Sequence, residues 1–516
     1  MANKGLFASA LAKFLPAPDA LNREYAPAYA YGPEHKLAQL AATGTLHDNF
    51  YAAADTQLGE VLDAARACDP MFVAKAAVYA RSRGAMKDMP ALLAAYLTVA
   101  EPDLAIPVFE RVIDNGRMLR NFVQIVRSGA VGRTSLGSRP KRLVQLWLER
   151  ASMARLMQAA TGSDPSLADV VRMVHPKPAD AARKAFYAWL IGKPYDVAAL
   201  PAEIAGFEAW KQAPDGELPE VPFEWLTAFP LTAEQWAALA SRMGWQALRI
   251  NLNTLARHGA FGVAGVTDAV AARLVDRDAL RKVRPLPYQL MVALGSAGEG
   301  VPLKVQAALE EALELSLRGV PKVPGRVVVC PDVSGSMQSP VTGYRKGASS
   351  RVRCIDVAAL VAAAVLRRNP AAAVLPFEVD VVPLTLDPHA RVAANAEKLA
   401  SIGGGGTNVS APLARLNAAK AAVDLVVIVS DNESWVDANR YGATETMRQW
   451  EMLKKRVPAA KLVCIDLQPY GTTQAKSRSD ILNVGGFSDA VFETLARFAE
   501  GQSERDWVAE VNETEV

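Results

Sequence analysis

Val327 to Met337 reads VVVCPDVSGSM, and this stretch decides the fold of the last part of the chain. A continuous apolar run closed by a turn reads as a buried strand, so Asp332, Ser334 and Ser336 emerge together at its carboxyl end. Open α/β sheets bind their ligands at that edge. A carboxylate and two hydroxyls on one loop suit a hard divalent cation, and Mg2+ takes oxygen donors in octahedral geometry while keeping several waters. One loop cannot fill six positions. Downstream, the glycine run Gly403 to Gly406 is followed by Thr407, and a second apolar run, Leu425 to Val429, is followed by Ser430-Asp431-Asn432-Glu433-Ser434. Both are placed where a loop would follow a strand. Asp332, Ser334, Ser336, Thr407 and Asp431 therefore form a candidate site for one divalent cation, Mg2+. The triplet alone equally suits turn and N-cap roles; the three-part set favours the metal.

These residues resemble the metal-ion-dependent adhesion site of von Willebrand factor A domains, in which DxSxS is joined by a Thr and an Asp. The resemblance implies a doubly wound, mostly parallel sheet with helices on both faces, and an ion that keeps one position open for a partner's acidic group. The local sequence goes further, because SDNESW (Ser430 to Trp435), AKLVCIDLQPYGTT (Ala460 to Thr473) and ILNVGGFSDAVF (Ile481 to Phe492) resemble the A domain of the Ro60 autoantigen family.

The chain has 516 residues, 51% hydrophobic and 22% charged, which is ordinary globular composition and more than one core usually spans. Cys68, Cys330, Cys354 and Cys464 are scattered without CxxC spacing, so they read as reduced cysteines of a cytoplasmic protein. No apolar run reaches membrane-spanning length. The start, MANKGLFASALAKFLPA, is faintly like a signal peptide, but Lys13 interrupts its apolar stretch, and it reads as a short helix or disordered lead-in.

A net charge of +3 is too small to argue nucleic-acid binding, but its distribution is uneven. Arg111, Arg117, Arg120, Arg127, Arg133, Arg139, Lys141 and Arg142 fall in one segment whose only acid is Asp114. Solvated helix faces usually mix both signs, whereas arginine forks onto phosphate oxygens. The segment reads as an RNA-backbone contact, or as a basic surface and nothing more.

From Leu37 to Gly319 the chain is rich in Ala and Leu at spacings of three and four, as in Val73, Ala76, Ala77 and Ala80, and is punctuated by Pro, Gly and Asp. This is the texture of stacked helix pairs. The charged, Pro-rich Lys211 to Pro222 reads as an exposed loop. Strand texture begins after Gly319 to Gly325, which sets expected domains at 1–322 and 323–516.

RSRGAMKDMPALLAAYL (Arg81 to Leu97), RSGAVGRTSLGSRPKRLVQLWLE (Arg127 to Glu149), VVRMVHPKP (Val170 to Pro178), MGWQALRINLNTLARHG (Met243 to Gly259) and VRPLPYQLMVAL (Val283 to Leu294) are similar to the TROVE module of the Ro60 family. With the A domain, the chain resembles a bacterial member of that family along nearly its whole length. The resemblance implies an α-helical, HEAT-repeat-like ring followed by a doubly wound von Willebrand factor A domain, acting as a monomer. It further implies a Y-like small noncoding RNA on the outside, misfolded noncoding RNA with single-stranded ends in the hole, a 3′ to 5′ exoribonuclease as visiting partner, and no catalysis by the ring. Lys87, His175 and Lys177 are RNA-contact candidates on that basis. Where vertebrate members of the family begin the helix before VHPKP with His-Lys, this chain has Ser166-Leu167-Ala168-Asp169, which puts Y-RNA contacts there in doubt and points to Gly132-Arg133 through Lys141-Arg142 instead.

The five histidines form no HExxH or Ser-His-Asp set, and His175 and His258 sit at helix ends where capping is the plainer role. A single ion without an evident general base fits hydrolysis poorly. The expected function is a noncoding-RNA-binding scaffold in RNA quality control. The alternatives are an Mg2+-dependent protein-binding scaffold without RNA, and a metal-dependent hydrolase.

Overall fold

The structure is a computed structural model that describes residues 15–317, 320, 322–344, 352–435, 443–486, 489–501 and 507–516. The first fourteen of the seventeen residues of the expected lead-in lie outside the described residues, as does part of the Gly319 to Gly325 boundary. By contact, the chain forms two compact units. One gathers residues up to Met89 with Leu286–Val292 and Leu313–Glu515, and the other holds Pro90–Pro285 and Ala293–Ala312.

The first unit contains two sheets. Strands β1 (Ala20–Leu21) and β2 (Pro27–Ala30) pair antiparallel with each other, and β2 pairs antiparallel with β7 (Thr472–Thr473), matching Tyr29 to Thr473. This small sheet carries no sequence signal, because its strands span two to four residues and β7 stands more than four hundred residues from β2. The main sheet is parallel throughout, in the order β4-β3-β5-β6-β8, with β3 Val327–Pro331, β4 Ala373–Val374, β5 Leu425–Ser430, β6 Lys461–Asp466 and β8 Ile481–Gly485.

Parallel strands need covering on both faces, and side chains alternate between them. Val328, Cys330, Val426, Ile428, Leu462, Cys464 and Ile481 share one core with Leu413 and Leu416 of helix Ala411–Ala418 and Met447, Trp450 and Leu453 of helix Glu445–Arg456. Helix Cys354–Arg368 packs on β3, β4 and β5, and helix Asp489–Ala499 on β6 and β8. Burying each large side chain contributes about 1.5–3 kcal/mol. Cys330, Cys354 and Cys464 are buried and free, and Cys68 is free and partly buried, as the scattered spacing predicts. The register is set by the apolar runs read from the sequence, and it brings the ends of β3, β5 and β6 level: Pro331 is opposite Val429 and Ser430 opposite Asp466.

The second unit is built of helices that contact close neighbours in sequence. Helix Ala105–Val112 packs on Ser138–Arg150, and Gly116–Arg127 on Met153–Ala159 and Leu167–Val174. Nearest-neighbour packing of this kind is that of stacked helical repeats. Lys211 to Pro222 is largely loop, anchored by the buried Leu218. Among the described residues, no helix is long and apolar enough to cross a membrane.

Candidate functional site

Asp332 leaves the end of β3 fully buried. Its Oδ1 accepts the Ser334 N–H at 2.9 Å and its Oδ2 accepts the Ser430 hydroxyl at 2.5 Å. Ser334 Oγ lies 3.3 Å from Ser336 Oγ, so three of the five predicted ligands form one hydrogen-bonded group. Asp431 directly follows Ser430 at the end of β5, is buried, and is near enough to Asp332 for the two charges to interact. The fifth, Thr407, is buried just beyond the glycine run; its carbonyl accepts the Trp435 N–H at 3.2 Å and the Ser434 hydroxyl at 3.3 Å.

The glycine run has a steric reason that the sequence does not reveal. Gly335 N–H donates to Gly405 O at 2.9 Å, and a Cβ on Gly404 would fall 2.3 Å from the Ser334 carbonyl carbon. The loop lies directly on the DxSxS backbone, and Glu378 Oε2 accepts the Gly405 N–H on its other side at 2.5 Å.

Burial pushes Asp332 up to about 6, and burial followed by the Asp332 charge pushes Asp431 up to about 7. Two carboxylates enclosed among hydroxyls and N–H groups are costly as anions unless a cation joins them. The donor set is all hard oxygen, which fits Mg2+. Among the described residues, no group of three or more His, Cys, Asp or Glu is placed to hold a metal, so a site here depends on the hydroxyls as well as the carboxylates.

Several residues around this group escape sequence reading. Asp466, at the end of β6, accepts the Tyr31 hydroxyl at 2.6 Å and is raised to about 7, first by burial. Glu433 is fully buried; its Oε2 accepts the Arg23 N–H at 2.6 Å, and burial followed by the Asp431 charge holds its carboxyl well above the usual range. Glu433 was legible inside SDNESW as an acid beside Asp431. Tyr31 and Arg23 were not.

The basic segment divides by what each guanidinium touches. Arg120 is buried and donates to Ala159 O at 2.6 Å, so it braces two helices. Arg133 donates to Thr98 O at 3.1 Å and Leu136 O at 3.3 Å, holding the loop before helix Ser138–Arg150. Arg117 and Arg127 stand exposed on helix Gly116–Arg127. Arg139, Lys141 and Arg142 occupy the first turns of helix Ser138–Arg150, which has no acid in its first turn and no side-chain cap. Arg139 and Arg142 are exposed, and Lys141 is half-buried; Arg139 pairs with Asp103 at 3.2 Å, both well exposed.

His175 is the C-cap of helix Leu167–Val174, with φ of 50° and its N–H on Val171 O, and Lys177 is exposed beyond it. The helix opens with a capping box: the Asp169 N–H donates to Ser166 Oγ at 3.1 Å and the Ser166 N–H to Asp169 Oδ2 at 3.0 Å. At this place the chain has a self-satisfied helix start in place of basic side chains. Lys87 is exposed and belongs to the first unit, whereas the other basic candidates belong to the second.

With this geometry established, comparison with known proteins finds the Ro60 vWA domain over residues 326–499. The A domain is of the Ro60 type. It contains every residue of the linked oxygen group. A relative in Deinococcus radiodurans, the RNA-binding protein RO60, is 26% identical over 510 residues, covering 92% of this chain and 94% of the relative. The crystal structure of the Deinococcus radiodurans RO (RSR) protein is similar with a TM-score of 0.59 at 24% identity, over 92% of this chain and all of that one. The Ro60 resemblance and the sequence of a helical part followed by a parallel-sheet A domain are thereby borne out.

Proposed function

We propose that this chain binds RNA through its helical unit and holds one Mg2+ in its Ro60-type A domain. The observation that carries the RNA reading is the start of helix Ser138–Arg150, where Arg139, Lys141 and Arg142 cluster on an uncapped helix amino end. First-turn N–H groups and the helix dipole favour an anion there, and the three cations add to it. Phosphate oxygens are the matching group, and such contacts position an RNA without reading its sequence. Similarity over most of its length to a protein named as RNA-binding supports the same reading. Arg117 and Arg127, exposed on the neighbouring helix, extend the surface. Arg120 and Arg133 contribute by holding the frame.

The finer reading rests on the family resemblance. The RNAs are a Y-like small RNA and noncoding RNAs with single-stranded ends, the protein is a scaffold for a 3′ to 5′ exoribonuclease in RNA quality control, and it is not itself a catalyst. The test is filter binding of a structured RNA to the wild type and to the Arg139→Ala/Lys141→Ala/Arg142→Ala variant. Loss of affinity in the variant supports the reading, and equal affinity refutes it.

A further inference from the structure

The loop after β5 carries Asp431 and runs on through Glu433 and Ser434, both fully buried, to Trp435. On one side it grips the glycine run. Ser434 Oγ donates to Thr407 O at 3.3 Å and accepts the Val409 N–H at 3.5 Å, and the Trp435 N–H donates to the same Thr407 O at 3.2 Å. The Trp435 indole lies on Gly406, where a Cβ would fall 1.9 Å from its Nε1, so the position before Thr407 has room only for glycine. On the other side the loop is gripped by the amino-terminal part of the same unit. Asn22, itself buried, donates from Nδ2 to Ser434 O at 2.6 Å across 412 residues of chain, and the Arg23 N–H donates to Glu433 Oε2 at 2.6 Å. The Asn22 Oδ1 meanwhile accepts the N–H groups of Glu24 (3.0 Å) and Ala26 (2.9 Å), closing a turn that carries Tyr25 at a φ of 59°, a conformation bulky side chains rarely adopt. One carboxamide thus holds the turn shut and ties it to Ser434.

We propose that Asn22 and Ser434 are positioning residues for the cation site: the Asn22 carboxamide fixes the loop after β5, and through Ser434 that loop fixes Thr407 relative to Asp431. Neither residue is itself a ligand. The inference rests on the cation reading above. Thr407 and Asp431 belong to different loops, and Mg2+ accepts little distortion, so the spacing between the two loops sets how well the ion is held. The bonds that set it are buried, where losing one partner leaves the other polar group without water to replace it. Asn22 lies far outside residues 326–499, the stretch of Ro60 vWA type, so the site depends on a side chain that the A domain does not itself contain.

The test titrates the full chain with Mg2+ in a calorimeter, beside Asn22→Ala, Ser434→Ala, the double variant, Asp431→Ala and Thr45→Val. Thr45 Oγ1 donates to Thr342 O at 2.9 Å, so Thr45→Val removes a comparable bond between the amino-terminal part and the A domain without touching the loop after β5. Asn22→Ala and Ser434→Ala should each weaken Mg2+ binding about tenfold or more, the effect of removing a group that orients a metal ligand. The double variant should lose less than the product of the two, because both act through one chain of bonds. Thr45→Val should lower the Tm in EDTA and keep the wild-type affinity. Ser434→Ala leaves the carbonyl that Asn22 uses, and it carries the test if Asn22→Ala does not fold. If Asn22→Ala and Ser434→Ala bind as the wild type does while Asp431→Ala does not bind, the positioning assignment is wrong and the cation site stands. Equal weakening by Thr45→Val would show general loosening and overturn the assignment, as would a double variant whose loss is the full product. If the wild type does not bind Mg2+, or Asp431→Ala binds as the wild type does, the cation reading fails and the positioning role fails with it.

Discussion

Ser430 Oγ donates to Asp332 Oδ2 at 2.5 Å, tying the carboxyl ends of β3 and β5 together across 98 residues of chain. The candidate cation site is built on that tie. Asp332 and Asp431 each reach it from the end of a strand whose register is fixed by buried residues along its length. Replacing either Asp332 or Asp431 with Ala should abolish Mg2+ binding in calorimetry. The fold should survive, because an ion that keeps several waters contributes less than a closed structural site.

The glycine run supplies an independent test of the same loop contact. Gly404→Ala places a Cβ against the backbone of Ser334 and Gly335, neither of which can swing aside. The expected cost is about 1–3 kcal/mol in urea unfolding, together with weaker Mg2+ binding. Gly403→Ala, where a Cβ meets nothing within 4 Å, should leave both nearly unchanged.

Much of this site was legible because the carrying residues come directly after apolar runs. VVVCP and LVVIVS read directly as strands β3 and β5, and the residues at the carboxyl end of a buried strand must emerge at the sheet edge. The glycines were legible as a run but not as a contact, since their role depends on the backbone of a loop about seventy residues earlier. Tyr31 and Arg23 carried no signal at all: their partners Asp466 and Glu433 lie hundreds of residues away, and β2 is too short for a period to show. In the helical unit the charge run was visible, but charge alone cannot distinguish Arg120, which is buried on a carbonyl, from Arg142, which faces water.

Asp466 gives a pH signature. Its carboxyl is raised to about 7, so the stability it confers is fully present below the unfolded carboxylate range and is lost as pH rises through about 7. Asp466→Asn cannot titrate and keeps an acceptor for the Tyr31 hydroxyl. Measured by urea unfolding in EDTA, the variant should gain on the wild type by on the order of 2 kcal/mol between about pH 5 and about pH 8. A constant difference across that range would contradict the burial of an ionisable group there.

Recognition of single-stranded ends predicts a preference that charge alone does not. A hairpin with a free 3′ tail should bind far better than its blunt counterpart in a gel shift, because an A-form duplex offers no unstacked bases. A Y-like RNA in excess should compete. Equal affinity for the two hairpins would leave a plain electrostatic binder.

The most direct test of the central claim is the salt dependence of RNA affinity for the wild type and for Arg139→Ala/Lys141→Ala/Arg142→Ala. Each lost phosphate contact should remove about 0.7–0.9 from the slope of log affinity against log salt, so the triple variant should be flatter by about two to three. Affinity at low salt should fall at least about tenfold, with sequence preference kept. An unchanged slope with unchanged affinity would show that RNA does not contact the start of helix Ser138–Arg150.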